Sequence, residues 1–290
     1  MARACHREGP GMTPTIALTV LCSALLHAVW NSLAHNANDR LVGFALIGVV
    51  DMLGGGALAL MAEIPPAGAW PFIIASAALH VAYNLLLLAS YQLGEFSQMY
   101  PLARGTSPWM VALVSVAVLG NDLPARELVG VIAISAGLAA LVCIGGRPTR
   151  HDIPALAAAL LTGVMIAAYT VVDGLGVREA PLAAYIGWMF LLQGPPIAVL
   201  AVIRRRGMLG PALRESAAAG LTGGAISLAA YSMVLWAQTS GALAPIAALR
   251  ETSIVFGALI GAVFLGERMG ARRALASAVV LVGVVLISTG

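Results

Sequence analysis

Apolar positions along this chain gather into ten long runs, near 14–35, 41–62, 70–93, 97–119, 127–146, 153–173, 180–203, 214–239, 242–265 and 272–289. Each approaches the roughly 20 residues that a helix needs to cross the hydrocarbon core of a bilayer. The breaks carry turn and charge signals: Asn36 to Arg40, Pro65-Pro66, Asn121 to Pro124, Arg147 to Asp152, Arg204 to Arg206 and Glu267 to Arg273. The runs are continuous rather than alternating, which excludes porin-like strands. The pattern predicts an all-α integral membrane protein of ten transmembrane helices.

The few polar positions inside the runs repeat. A shift of 146 residues lays Arg104-Gly105-Thr106-Ser107 on Arg250-Glu251-Thr252-Ser253, Gln92 on Gln238 and Gly137 on Gly283. Any two apolar chains share leucines and glycines, but not Arg-x-Thr-Ser in mid-run. The chain therefore divides into a tail, 1–13, and two related five-helix units, 14–146 and 147–290. Five is odd, so the second unit must enter the membrane from the opposite face. Inverted repeats of this kind belong to secondary transporters, whose site lies near the midplane between the halves.

Composition agrees: 60% of the 290 residues are apolar and 10% charged, against roughly 45–50% and 25% in soluble domains. The formal charge of +3 comes from sixteen arginines against thirteen acids, without a lysine. The arginines are scattered, which excludes a nucleic-acid surface. Loops after the odd-numbered spans hold ten arginines and the opposite side four, so the positive-inside rule puts both termini outside. Cys5, Cys22 and Cys143 form neither a disulfide framework nor a metal spacing. Ser32-Leu33-Ala34 could pass for a signal-peptidase site. However, the run from Thr15 to Ala34 is long for a signal segment, and His27 and Asn31 interrupt it, so the first run is expected to stay as a span.

HAVWNSLAH in the first span, YPLARGTSPWMVALVSVAVLG in the fourth and APIAALRETSIVFGALIGAVFLGER in the ninth resemble EamA-type transporters of the drug/metabolite transporter superfamily. The resemblance covers nearly the whole chain. It implies a carrier of the bacterial inner membrane, often an exporter of amino acids or related metabolites. Two features depart from the family. Its members usually keep both termini in the cytoplasm, against the arginine count here. Asn121 also stands where the motif usually has the Glu seen at Glu267.

Ionisable groups inside a bilayer cost about 2.5–3.5 kcal/mol at midspan, so they mark candidate sites. His27, Trp30 and Asn31 share one helical face by their i, i+3, i+4 spacing, and His80, Tyr83 and Asn84 repeat the pattern in span 3. The two spans run in the same direction, so the patches can line one cavity, or serve as interhelical hydrogen-bond glue. Arg104 and Arg250 lie about 10–12 Å into their spans at 1.5 Å per residue. There they can bind a substrate carboxylate or hold an internal acid, or snorkel to the interface. Tyr100, Tyr185, Trp188 and Trp236 complete the expected substrate-binding lining. Glu251 and Asp51 are the acids placed to carry a coupling proton, unless each is a static partner of an arginine; His27 or His80 could also relay one.

Prolines mark mechanical points. Pro101 and Pro108 bracket Arg104, Pro245 precedes Arg250, and Gln193-Gly194-Pro195-Pro196 interrupts span 7. Gly257-x-x-x-Gly261 and Gly220-x-x-x-Gly224 read as close helix packing. With no Gly-rich phosphate loop, metal cluster or catalytic triad, the expectation is a non-enzymatic secondary transporter that uses no cofactor. Its partners would be a small-molecule substrate and the lipid bilayer, with no nucleic acid, in a monomer or homodimer. An uptake permease or uncoupled facilitator is the nearest rival, and a membrane-embedded enzyme or scaffold a more distant one.

Overall fold

The computed structural model describes residues 13–117, 125–143, 150–240, 246, 249–264, 266 and 270–288. The tail through residue 12, Asn121, Pro245 and Glu267 lie outside the described residues, as does the side chain of Pro108. All described elements are helical: α1 (Pro14–His35), α2 (Arg40–Met61), a 3-10 turn (Ala67–Ala69), α3 (Trp70–Leu93), α4 (Phe96–Ala117), α5 (Ala125–Cys143), α6 (Ile153–Gly176), α7 (Leu182–Gln193), α8 (Pro195–Arg204), α9 (Leu209–Ser240), α10 (Ser253–Val263) and α11 (Ala271–Ser288).

Local chemistry sets the helix ends. The Thr13 hydroxyl accepts the Ile16 N–H at 3.3 Å and Pro14 opens α1; the Asp39 carboxylate accepts the Val42 N–H at 3.2 Å and opens α2. Span 7 breaks into α7 and α8 because Pro195 and Pro196 lack N–H groups, which removes the helical donors to the Leu191 and Leu192 carbonyls. The helix α9 begins earlier than the hydropathy suggests. Its first turns carry Pro211, Arg214 and Glu215, and hydropathy marks where a helix enters lipid rather than where it starts.

Six segments among the described residues are long and apolar enough to cross a membrane: Pro14–His35, Arg40–Met61, Ala67–Leu93, Ile153–Gly176, Leu182–Arg204 and Leu209–Thr239. Shorter apolar stretches lie at Leu128–Ala140, Ser253–Val263 and Ala274–Leu286. The 22-residue α4 is not among the six because Arg104, Thr106 and Ser107 lie within it, all buried. Large apolar side chains cover the outside, among them Leu53, Leu60, Met61, Val263 and Phe264. In water such a surface would be an aggregation liability; in a bilayer it is solvated. This is a multi-pass membrane protein.

Packing follows the 146-residue offset. The pair α3 on α6 is matched by α9 on α1, and α5 packs on its counterpart α11. A Cβ added to Gly137 would lie 2.9 Å from the Ala276 carbonyl oxygen, and one added to Gly283 would lie 2.7 Å from that of Gly130. Residues 130 and 276 are again 146 apart. Gly48 and Gly194, another such pair, touch each other: a Cβ on Gly48 would meet the Gly194 carbonyl oxygen at 2.7 Å. Only glycine at both positions lets α2 pass this close to the α7–α8 break.

Candidate functional site

The main hydrophobic cluster surrounds a polar one. Asp51, Arg104, Asp173, Arg250 and Glu251 are all buried, with His27, His80, Asn31 and Gln193 among them. One small cavity of about 20 Å³ opens in this region. It is lined by His27 and Trp30 of α1, Asp51 of α2, His80, Tyr83 and Asn84 of α3, Tyr169 of α6, Phe190 and Gln193 of α7, and Ser227 and Tyr231 of α9. That volume accommodates about one water molecule. A larger groove of about 420 Å³ between α5 and α11 is almost wholly apolar and lined by exposed residues such as Leu275, as a surface in contact with acyl chains would be.

The two histidines present opposite hydrogen-bonding faces. Trp30 Nε1–H donates to His27 Nδ1 at 3.3 Å, so in the neutral ring Nε2 carries the proton. His80 Nδ1 lies 2.9 Å from the Ser76 carbonyl and 3.2 Å from the Ser76 hydroxyl; the carbonyl can only accept, so a proton on Nδ1 satisfies it and leaves Nε2 a bare acceptor. Both Nε2 atoms are buried without a hydrogen-bond partner among the described residues. Gln193 donates from Nε2 to Asp51 Oδ2 at 3.4 Å, leaving Gln193 Oε1 and Asp51 Oδ1 unpartnered. His80 stacks on Tyr169 at 4.0 Å between ring centroids and meets the Tyr231 ring edge-on at 4.9 Å.

The arginines do not snorkel. Arg104 Nη2 donates to Glu251 Oε1 and to the Arg250 carbonyl, both at 3.1 Å, and the two charged side chains are 3% and 5% exposed. Glu251 is thus an ion-pair partner. The Arg250 guanidinium stands 5.7 Å from the Tyr231 ring centroid, within cation–π reach.

The remaining expected residues are spread around this centre. Asn31 donates to the His27 carbonyl at 2.7 Å and accepts from the Tyr91 hydroxyl at 2.8 Å, so it braces α1 against α3 instead of lining the cavity. Tyr100 is buried and stacks on Phe96 at 5.0 Å. Tyr185 donates to Asp173 Oδ1 at 2.8 Å. Trp188 meets Trp70 edge-on at 5.1 Å. Trp236, 38% exposed, does not join the cavity lining.

Sequence reasoning passed over Asp173, which accepts hydrogen bonds from both Tyr185 and Tyr231 and is fully buried. The signal was available, because the 146-residue offset lays Asp173 on His27. Tyr169, Phe190 and Tyr231 were also missed; aromatic residues in apolar runs carry no mark of their own. Among the described residues, no three His, Cys, Asp or Glu side chains are placed to hold a metal ion.

Asp39, the N-cap of α2, accepts from Arg205 Nε, just beyond the end of α8, at 2.5 Å. Partial burial pushes the Asp39 carboxyl up, but the hydrogen bonds from Arg205 and Val42 and the guanidinium charge outweigh it and hold the group below its ordinary range.

No curated protein matches this chain. Its fold is similar to that of a solved structure described only as "Crystal structure of protein", with a TM-score of 0.64 over 94% of this chain and 98% of that one, at 18% identity. Residues 153–289 match the family model described as EamA-like transporter family. That match covers just under half of the chain, the stretch carrying Asp173, Gln193, Tyr231, Arg250 and Glu251, and makes this stretch similar to the EamA-like transporter family.

Proposed function

We propose that this chain is a secondary carrier that exports a small metabolite, an amino acid, across the bacterial inner membrane by alternating access. Ten spans in two inverted five-helix halves, 14–146 and 147–290, form the carrier. The reciprocal contacts at a 146-residue offset support this arrangement. The observation that carries the functional reading is a buried polar constellation drawn from both halves and covered on both sides. Short connections make consecutive spans antiparallel, so Asn31, His35, Phe44, Tyr91 and Phe96 form a layer toward one face. Asp173, Tyr185 and Tyr231, with Trp70 and Trp188, form a layer toward the other.

The cavity residues His27, Trp30, His80, Tyr83 and Asn84 contact the substrate in this reading, and Arg250 takes its carboxylate. Asn31, Tyr100 and Arg104 brace the site, while Tyr185 and Trp188 belong to the covering layer. Coupling to a proton falls to Asp51 or Glu251. Purified protein in proteoliposomes, tested with labelled amino acids, should show saturable flux and counterflow; no flux across the panel refutes the amino-acid reading. Flux with and without a pH gradient distinguishes a coupled exporter from an uncoupled facilitator. If both Asp51→Asn and Glu251→Gln leave gradient-driven flux intact, neither carries the proton.

A further inference from the structure

We infer that the central cavity is a primary-ammonium site, in which Asp51 Oδ1, Gln193 Oε1 and His80 Nε2 take the three N–H groups of an amine-bearing substrate. The inference rests on the carrier reading and specifies which end of the substrate this cavity holds.

Three observations carry it. First, the unpartnered atoms of these residues are all acceptors: a carboxylate oxygen, an amide oxygen and the lone-pair nitrogen of a ring whose other nitrogen donates to Ser76. Asp51, Gln193 and His80 are 3%, 4% and 5% exposed, and buried acceptors without donors are costly unless a ligand supplies the donors. Of the four unpartnered polar atoms on residues lining the cavity, His27 Nε2–H is a donor and the other three are acceptors, and three acceptors match an ammonium group, which has three donors and no acceptor. The cavity, about 20 Å³, suits a head group of that size.

Second, the remaining wall is aromatic. Trp30, Tyr83, Tyr169, Phe190 and Tyr231 line the same space, and aromatic faces attract a desolvated cation. Third, the buried charge of the described residues is unbalanced. Arg104 and Arg250 face three carboxylates, Asp51, Asp173 and Glu251, so with neutral histidines the set carries one formal negative charge in excess. Arg104 is committed to Glu251 and Arg250 stands over Tyr231. Among the described residues, Asp51 is met by the neutral Gln193 alone. A bound cation supplies the missing charge where the carboxylate is least compensated.

The test is equilibrium binding to the purified full-length protein, measured by calorimetry with four probes of one shape: 2-phenylethylamine, its N,N,N-trimethyl derivative, 2-phenylethanol and 3-phenylpropionate. The primary amine should bind at least about tenfold more tightly than each of the others, since a charge-assisted hydrogen bond is worth about 1.5–3 kcal/mol. Equal binding of the trimethyl derivative overturns the three-acceptor assignment, because that cation keeps the charge and loses every N–H. Tighter binding of the propionate overturns the sign of the site. In Asp51→Asn, which keeps the side-chain shape, the preference for amine over alcohol should fall about tenfold; an unchanged preference overturns the role of Asp51. The wild-type probe series needs no variant, so misfolding of Asp51→Asn does not shield the inference. Amine binding without flux in proteoliposomes upholds this site and removes the carrier reading, whereas flux with no preference for the amine does the reverse.

Discussion

Replacing Glu251 by glutamine removes one negative charge and almost no volume, so its effect reports the charge itself. Arg104 Nη2 is held by Glu251 Oε1 and the Arg250 carbonyl, while Arg104 Nε and Nη1 have no hydrogen-bond partner among the described residues. The pair is almost fully enclosed, so no shift toward water relieves the guanidinium once the carboxylate is gone. Breaking a buried pair from one side costs about 3–5 kcal/mol. Placing an arginine at midspan costs about 2.5–3.5 kcal/mol by insertion. The two ranges meet near 3 kcal/mol, which is the expected loss for Glu251→Gln in detergent-titrated unfolding of the purified protein. Arg104→Gln should cost about as much, because it strands Glu251. The double variant strands neither, and should lie within about 1 kcal/mol of the unsubstituted protein. A loss below about 0.5 kcal/mol in Glu251→Gln, or strict additivity in the double variant, would refute the ion pair as the organising contact between α4 and the segment that enters α10.

Three further outcomes follow from specific contacts. Tyr231→Phe keeps the ring packing but removes one of the two donors to buried Asp173, so unfolding should cost about 1.5–3 kcal/mol less free energy; a change under 0.5 kcal/mol would show that Asp173 does not need it. Gly194→Val puts a side chain against the Gly48 carbonyl, and should lower melting temperature and folded yield by the equivalent of at least about 1–3 kcal/mol, whereas Gly207→Val, with open space around it, should leave both unchanged. The Asp39 carboxyl is held below its ordinary range, so its contribution to stability is full above the unfolded-state value and fades as pH falls through the folded-state value. Asp39→Asn retains a capping side chain for α2 and should flatten the acid limb of a stability–pH curve; an unchanged limb would show that the Arg205 pair contributes nothing measurable.

The helices were legible because lipid imposes a crude and strong rule: about twenty apolar residues in a row. Thus 14–35 and 70–93 coincide with α1 and α3 at both ends. The rule misplaced the start of α9, where residues 209–213 extend the helix ahead of the apolar run, and the division of span 7 into α7 and α8 was marked instead by the Gln193-Gly194-Pro195-Pro196 interruption. At the site, sequence spacing put His27 with Trp30, and His80 with Tyr83, on shared faces, and these residues do line one cavity. Spacing could not say that Asn31 would be spent on Tyr91, or that Trp236 would stand 38% exposed. Those outcomes depend on which helices become neighbours, and a single apolar run does not encode its neighbours. Asp173 is the instructive omission. At the end of an apolar run it reads as a boundary residue, while its hydrogen-bond partners lie 12 and 58 residues further along the chain.

The position of the α7–α8 break ties the fold to the proposed function. Gln193 is the last residue of α7, lines the central cavity and holds Asp51; Gly194 follows and touches Gly48 on the same helix as Asp51. Beyond the two prolines, α8 ends at Arg204, one residue before the Arg205–Asp39 pair. A cavity of about 20 Å³ is far too small for a whole amino acid, so admitting one requires helices to part. A tilt of α8 about Gly194 would strain the Gln193–Asp51 contact at its inner end and the Arg205–Asp39 pair at its outer end together. Those two carboxylates flank the same helix, α2, one at its cap and one at its middle. If the proposed carrier function holds, this geometry would couple occupancy of the central site to the Arg205–Asp39 contact.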